Sequence, residues 1–224
     1  EPMAGSAGVI PPPQGYLQRL RQICDDNDIL LIFDEVITGF GRCGAMTGAD
    51  AFGVTPDILN VAKQLTNGAI PMGAVIASSA IYETFMNQGA PDYALEFAHG
   101  YTYSGHPVAC AAGLAALDIL VSERLPERVA AEAPYFEGLL HDHLADKPHV
   151  LDVRNYGFAG ALTLEAYPDE PLRRPFEVAM RLWEKGFLVR YGGDTIQLAP
   201  HFVMQRPEME SLVTALGEAL DELA

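Results

Sequence analysis

The sequence predicts an α/β fold: helices pack on a sheet of buried strands, and a smaller α+β unit follows. Three short apolar runs of strand length, at 29–35, 57–62 and 72–78, lie in the first half, with helical or Gly-rich segments between and after them. The last third has apolar runs that indicate an antiparallel pair of strands, together with two further helices. The change of character lies between residues 122 and 148, where we place the boundary.

The first half begins with a helix. Segment 13–28 keeps Leu17, Leu20, Ile23 and Cys24 at helical spacing, with Pro13 near its start. The run "ILLIFDE" at 29–35 is continuous and apolar, which predicts a strand buried on both faces. "DILNVA" and "MGAVIAS" predict two further strands. A surface helix at 80–85 and a small-residue helix that starts at Pro107 follow.

The second half is predicted from its patterning in the same way. Segment 122–146 is a charged helical stretch, for which we expect breaks at Pro126 and Pro134. "VLDVRNYG" and "FAGALTLEA" indicate an antiparallel pair. A helix at 173–185, the strands "FLVRYGG" and "TIQLA", and a terminal helix at 207–223 complete the chain.

The composition excludes several classes of protein. The formal net charge of −16 disfavours binding to nucleic acid, since acidic surfaces repel phosphate backbones. No run of 18 apolar residues predicts a membrane span. The three cysteines are scattered and form no CxxC motif, which indicates neither a disulfide framework nor a zinc site and favours a cytoplasmic setting.

Lys63 is the first candidate catalytic residue. It is one of three lysines, and it stands between an apolar strand and a loop that contains Gly68, Pro71 and Gly73. A desolvated, neutral lysine amine is the nucleophile of Schiff-base chemistry. The alternative is a snorkelling lysine at a strand end, which this stretch alone favours.

Asp34 is the second candidate. It ends a predicted buried strand, at the edge of the sheet where open α/β folds place their sites. A cap or loop aspartate is equally compatible with this position. Pyridoxal 5'-phosphate would explain Lys63 and Asp34 together, because it needs a lysine for its Schiff base and an acid that keeps the pyridine nitrogen protonated.

Other motifs are weaker. "GFGRCG" at 39–44 matches G-x-G-x-x-G, but residues 34–38 separate it from the strand and no helix follows directly, so a Gly-rich loop is favoured over a dinucleotide site. His141 and His143 are two apart on a predicted helix and point to different faces, which argues against a shared metal. For His99 and His106 we expect structural roles. Ser104 lacks a G-x-S-x-G elbow.

Three segments carry a resemblance to a known family. "LLIFDEVITGFGR", "AKQLTNGAIPMGAV" and "HGYTYSGHPVACAAGLA" resemble the central segments of the class III (ω-) aminotransferases. "EPMAGSAGVIPPPQGYL" and "FLVRYGGDTIQLAP" resemble the ω-amino acid (β-alanine):pyruvate branch. The resemblance covers essentially the whole chain. It implies the C-terminal half of a type I pyridoxal-phosphate transferase fold, with part of the large mixed-sheet domain at 1–122, a helical connection at 123–148 and a small α+β domain at 149–224.

The resemblance also implies residue roles. Lys63 corresponds to the lysine that binds the cofactor and moves the proton, and Asp34 to the carboxylate paired with the pyridinium. Val36 matches the apolar side chain on one ring face. Thr102 matches the threonine that binds the cofactor phosphate of the partner subunit, which implies a homodimer or a dimer-based tetramer with shared active sites. Arg190 matches the mobile arginine that binds the substrate carboxylate.

Two departures narrow the implied function. Many members of the class carry Gln where Ile37 stands, and an arginine in the strand where this chain has "TIQLAP". Gln197 cannot bind a carboxylate in bidentate fashion, which leaves Arg190 as the candidate and disfavours the ornithine and 4-aminobutyrate branches. The family's N-terminal portion, with its phosphate cup and stacking aromatic, is expected to lie outside this chain.

The implied function is transfer of an amino group from an ω-amino acid or an amine to pyruvate. Other class III activities, of the taurine:pyruvate or diaminopelargonate type, remain open. So does a catalytically dead fragment that keeps only the fold, and a nucleotide-binding oxidoreductase is a weaker third possibility.

Overall fold

The computed structural model describes residues 1–223, which form two sheets with helices packed against them. The first sheet has the order β1-β2-β3, and the second has the order β4-β5-β7-β6. In sequence order, the elements of the first half are α1 (Tyr16–Asp26), β1 (Ile32–Asp34), α2 (Gly48–Phe52), β2 (Ile58–Val61), a 3-10 helix (Lys63–Thr66), β3 (Ala74–Ala77), α3 (Ser79–Gln88) and α4 (Pro107–Ser122). The second half has α5 (Leu125–Leu144), β4 (Val150–Tyr156), β5 (Ala159–Leu164), α6 (Arg173–Glu184), β6 (Arg190–Gly192), β7 (Thr195–Leu198) and α7 (Arg206–Asp221).

The first sheet is mixed. β1 and β2 run parallel, with Phe33 opposite Leu59, and β3 returns antiparallel to β2. The apolar side of α1 packs on this sheet, where Leu17 and Cys24 are buried with Phe33. Burial of these side chains away from water holds the helix on the sheet.

The sequence predicts a strand at 29–35 that is buried on both faces, but the strand in the structure is shorter and is buried on one face only. Only Ile32–Asp34 is strand, and its burial alternates: Phe33 is buried while Ile32 is 53% exposed. The continuous apolar run had indicated cover on both faces. Within residues 1–223, helix α1 covers one face of β1, and the other face stays open to solvent.

Helix α5 is continuous from Leu125 to Leu144, so the breaks expected at Pro126 and Pro134 are absent. Pro126 is in the first turn, where its missing N–H would have had no helical partner. Pro134 lies inside the helix and removes one N–H donor. Phe136 and Leu140 are fully buried just beyond it, and this packing holds the helix together through the proline.

The second sheet is antiparallel throughout and carries the largest core. β4 pairs with β5, β5 with β7, and β7 with β6. Helices α5, α6 and α7 pack on this sheet and bury large side chains such as Phe136, Leu182 and Met209. The helix and strand types predicted for 150–223 are confirmed, whereas the division at 1–122, 123–148 and 149–224 stays a prediction.

The second sheet is tied to the loop that follows β1. Gly157, in the turn between β4 and β5, has φ +55°, and a Cβ there would lie 2.3 Å from the carbonyl oxygen of Arg42. Only glycine permits this close approach in a left-handed conformation. No helix among the described residues is both long and apolar enough to traverse a membrane.

Candidate active site

The carboxyl ends of β1 and β2 bring Asp34 and Lys63 to one edge of the first sheet. Asp34 is paired with Asn60 in the parallel ladder, and Lys63 follows Asn60 by three residues. Because parallel strands end at the same edge, both residues leave the sheet on one side. Sequence reasoning predicted this arrangement.

Lys63 is exposed, in contrast to the desolvated amine that its position at a strand end suggested and as a snorkelling lysine would be. It begins the 3-10 helix with φ 46°, a left-handed conformation that is uncommon for a residue with a side chain. Such a conformation costs on the order of 1–3 kcal/mol and recurs at functional sites. The turn takes the lysine out of the strand direction, and its side chain borders a cavity.

Asp34 is exposed as well, although the strand that it ends was predicted to be buried. Its Oδ1 accepts the N–H of Val36 at 3.1 Å, a local turn that orients the carboxylate. Within residues 1–223, none of the ion pairs includes Asp34, Lys63 or Arg190. The charges of these three residues are therefore available to a ligand.

A cavity of about 250 Å³ brings three of the candidate residues together. Val36, Lys63 and Arg190 all line it, although they come from the β1 loop, the 3-10 helix and the second sheet. Gln197 and Ile37 line it too. A primary amine, an apolar side chain and a guanidinium thus face one small space.

Arg190 reaches this cavity from the edge strand of the second sheet. It opens β6 and is paired with Gln197 of β7. Gln197 is held in place because its Nε2 donates to the carbonyl oxygen of Ser6 at 3.2 Å. Arg190 itself is exposed, and its side chain can move without breaking a described ion pair.

Two predicted site residues are not among those that line this cavity. Asp34 lies two residues before Val36, which does line the cavity. Thr102 is exposed in a turn where the N–H of Tyr101 donates to Ser104 Oγ at 2.9 Å. The turn precedes α4, whose first residues are capped by His106 through its Nδ1, a structural role of the kind expected.

A buried carboxylate that sequence reasoning did not single out fixes the loop after β1. Glu35 is fully buried, and its two carboxylate oxygens accept the N–H groups of Gly48 at 2.5 Å and Ala49 at 2.6 Å. It also accepts the hydroxyl of Thr38 at 3.0 Å. These three bonds satisfy the buried charge and hold the loop that carries Val36.

Arg42 is the second residue that sequence reasoning did not identify. It lies in "GFGRCG", which forms a turn-rich loop as predicted, and it lines the same cavity as Lys63. Burial lowers the pKa of its guanidinium to about 10. The neighbouring Cys43 thiol is also buried, which raises its pKa to about 12 and makes it a poor nucleophile. The glycines around Arg42 are the signal of a close approach, but they do not identify its partners.

Comparison with known proteins identifies the family of this chain. Residues 1–220 match the family described as aminotransferase class-III. A β-alanine–pyruvate aminotransferase of Pseudomonas aeruginosa is 61% identical over 224 residues, which is 100% of this chain and 50% of that protein. An ω-amino acid–pyruvate aminotransferase of Pseudomonas putida is 59% identical over 223 residues, with 100% of this chain and 49% of that protein covered.

A solved structure shares the fold. The amine transaminase of an uncultivated Pseudomonas species, in its PLP-bound (internal aldimine) form, superposes with a TM-score of 0.92 at 40% identity, over 100% of this chain and 51% of that one. The predicted fold class is thereby confirmed. The chain spans about half the length of the curated relatives it matches. With 220 of its residues matched to one family, the chain belongs to the class III aminotransferases.

Proposed function

We propose that the protein carrying this chain transfers an amino group from an ω-amino acid such as β-alanine, or from an amine, to pyruvate. The observation that carries the proposal is that Lys63 and Arg190 line one cavity of about 250 Å³. An amine that can take part in group transfer and a guanidinium that can bind a carboxylate are what a small amino acid requires at its two ends.

Class III aminotransferases depend on pyridoxal 5'-phosphate, and the donor set of this chain fits that cofactor. The exposed amine of Lys63 and the exposed carboxylate of Asp34 share one edge of the sheet, and neither has an ion-pair partner among the described residues. Val36 lines the same cavity as Lys63. When bound, the cofactor condenses with amines and withdraws electrons from the adjacent C–H bond.

The residues of this chain then have distinct tasks. Lys63 Nζ would hold the cofactor and, once released from it, would take the proton from the donor carbon that bears the amino group. The Asp34 carboxylate keeps a proton on the ring nitrogen, because a negative charge beside that nitrogen stabilises its cationic form. Val36 packs on one face of the ring and excludes water from it.

Arg190 binds the substrate carboxylate in this proposal. A guanidinium can donate two parallel hydrogen bonds to a carboxylate, and Gln197, its partner across the strands, cannot. The names of two relatives specify β-alanine and ω-amino acids, and the name of a third, which is 40% identical, specifies putrescine. These names support an amino donor with a terminal primary amine. Donors of the taurine or diaminopelargonate type are the alternative.

We further propose that two such subunits share their active sites. Thr102 lies in the exposed turn 101–105, and its neighbours Tyr101 and Tyr103 line a different cavity, of about 450 Å³. A threonine in that place could bind the cofactor phosphate of a second subunit without lining the Lys63 cavity. A homodimer or a dimer-based tetramer is therefore proposed.

The test places this chain in a complete enzyme. In a chimera, residues 1–224 replace the corresponding half of the P. aeruginosa relative, and formation of alanine from β-alanine and pyruvate is followed. The proposal predicts turnover that Lys63→Ala abolishes, while Lys147→Ala, which removes a lysine ion-paired with Asp221, leaves it intact. A folded chimera with no aminotransferase activity would support the dead-fragment alternative.

A further inference from the structure

Arg42 joins the loop after β1 to two points of the second sheet. Its Nη1 donates to the carbonyl oxygens of Phe158 and Pro200, each at 2.7 Å. Its own carbonyl oxygen accepts the N–H of Phe158 at 3.0 Å. The guanidinium also stacks on the Phe202 ring, with 4.7 Å between its carbon and the ring centroid. One side chain thus contacts the turn between β4 and β5 and the segment after β7.

Pro200, one of the two residues whose carbonyl oxygen accepts from Arg42, connects Arg42 to Arg190. Pro200 follows β7 by two residues, and Gln197 of β7 is the register partner of Arg190. On the other side, Arg42 lies in the loop that Glu35 anchors and that carries Val36. The hydrogen bonds of Arg42 therefore lie between the loop that carries Val36 and the sheet that holds Arg190. That loop follows β1, which is paired with β2, the strand that precedes Lys63.

No carboxylate within residues 1–223 forms an ion pair with Arg42, and yet Arg42 remains a cation. Burial lowers its pKa to about 10, so it is charged at neutral pH and donates to carbonyl oxygens instead. The planar guanidinium can donate in two directions and stack at the same time, whereas a lysine ammonium cannot stack in this way. The position therefore requires arginine geometry and not only positive charge.

We propose that Arg42 is a positioning residue that fixes the span between the Lys63 amine and the Arg190 guanidinium, and so sets the chain length of the ω-amino acid that the site accepts. This inference rests on the proposed function. The carbon whose proton Lys63 moves must lie beside Lys63 Nζ while the donor carboxylate is bound by Arg190, so the donor must match this span and each added methylene changes the fit. In well-fitted sites one methylene changes the specificity by roughly 10- to 200-fold.

The experiment compares donors of increasing length in the chimera with the P. aeruginosa half. The ratio of kcat/KM for β-alanine to that for 4-aminobutyrate, and for 5-aminopentanoate, is measured with pyruvate as acceptor. Arg42→Lys keeps the charge but loses the two-carbonyl bridge and the stack, and Arg42→Met removes both charge and bridge. We expect both variants to lower the β-alanine preference at least about fivefold, because a loosened span tolerates other lengths.

The chain offers a matched control. Arg128 on α5 also donates to two main-chain carbonyls of the segment after β7, those of Phe202 at 2.7 Å and Met204 at 2.8 Å, but it does not border the Lys63 cavity. Arg128→Lys removes bonds of the same kind and should leave the length ratio unchanged. Phe202→Leu, which removes the stack and also alters the wall of the Lys63 cavity, should shift the ratio in the same direction as Arg42→Lys by a smaller factor.

The outcomes separate the two proposals. An unsubstituted chimera that folds but is inactive overturns the proposed function and this inference with it. If the chimera is active and neither Arg42→Lys nor Arg42→Met changes its length ratio from the unsubstituted value, the role of Arg42 alone is overturned. An active unsubstituted chimera with no length preference also overturns only this role. An equal shift with Arg128→Lys also overturns it. If the Arg42 variants do not fold, an unchanged length ratio in Phe202→Leu overturns the role of Arg42.

Discussion

Asp34 lies opposite Asn60 in the parallel ladder of β1 and β2, and this register brings Lys63 to the same edge of the sheet as Asp34. The pairing depends on backbone hydrogen bonds, such as that from the N–H of Glu35 to the carbonyl oxygen of Asn60 at 2.8 Å. The position of the carboxylate relative to the lysine is therefore set by the sheet and not by a direct ion pair. A substitution at Asp34 should consequently change chemistry more than fold.

Asp34→Asn tests the role of this carboxylate. We expect the chimera with this substitution to keep its cofactor but to lose turnover by orders of magnitude, because a neutral amide cannot hold the ring nitrogen protonated. Steady-state kinetics and the visible absorbance of the bound cofactor measure the two effects. Asp142→Asn, an exposed carboxylate on α5, is the control. Activity within a few fold of the unsubstituted chimera would contradict the role.

Arg190→Ala tests the carboxylate site. We expect KM for β-alanine and for pyruvate to rise far more than KM for 1-phenylethylamine, which has no carboxylate for a guanidinium to bind. Loss of a charged hydrogen-bond pair of this kind costs about 1.5–3 kcal/mol, or roughly 10- to 150-fold in KM. Arg19→Ala, on the exposed side of α1, is the matched control. An equal rise for the amine would move the carboxylate site elsewhere.

Asp57→Asn tests how α1 is held on the first sheet. Asp57 Oδ2 accepts Arg21 Nη1 and the N–H of Leu31, both at 2.7 Å. The side-chain hydrogen bond with Arg21 is the main reason that the pKa of Asp57 is held below its ordinary value of 3.8, and the bond from Leu31 adds to it. We expect the substitution to lower the free energy of unfolding by about 1–3 kcal/mol at pH 7.

The pH dependence of this effect follows from the sign of the shift. A carboxylate with a depressed folded-state pKa stabilises the fold fully above its unfolded pKa of 3.8, and this contribution is lost as the pH falls through the lower folded-state value. Denaturant titrations of the unsubstituted protein and of Asp57→Asn at pH 7 and at pH 3 should therefore show a smaller difference in the free energy of unfolding at the lower pH. A difference in the free energy of unfolding that stays constant with pH would show that the Asp57 charge contributes nothing to stability.

The 224-residue chain expressed alone should associate and bind the cofactor weakly at best. Ile32, Val75 and Ile76 of the first sheet are 53%, 70% and 50% exposed, and β3 has an unpaired edge among the described residues. Exposed apolar strands at an open edge favour association with other chains. Light scattering and absorbance of purified protein test this. A monodisperse, yellow protein that turns over β-alanine with pyruvate would refute it.

Much of the fold follows from the sequence because local patterns determine it. The small-residue helix after Pro107 and the antiparallel pair at 150–164 have their own periodicity and turn residues. The open face of β1 does not follow from the sequence. An apolar run indicates that both faces of the strand need to be covered, but it does not show whether residues 1–223 cover them. The unbroken helix through Pro134 does not follow either, since it depends on tertiary packing around Phe136.

The candidate site was predictable only where one residue type has few uses. Lys63, one of three lysines and next to a Gly-rich turn, was identified from its context, as was Asp34 at a strand end. Their exposure did not follow from the sequence, which left buried and exposed positions open for both, because burial depends on residues distant in sequence. Arg42 was not identified, since its partners Phe158 and Pro200 lie 116 and 158 residues away.

The most direct test of the central claim is to reduce the cofactor-loaded chimera with borohydride and to map the modified lysine by peptide mass spectrometry. The chain has only three lysines, and the other two are in ion pairs: Lys147 with Asp221, and Lys185 with Glu218 and Glu222. The account predicts that the pyridoxyl mass is on the peptide that contains Lys63, with loss of the visible absorbance. A label on Lys147, on Lys185 or on a lysine outside this chain would contradict it.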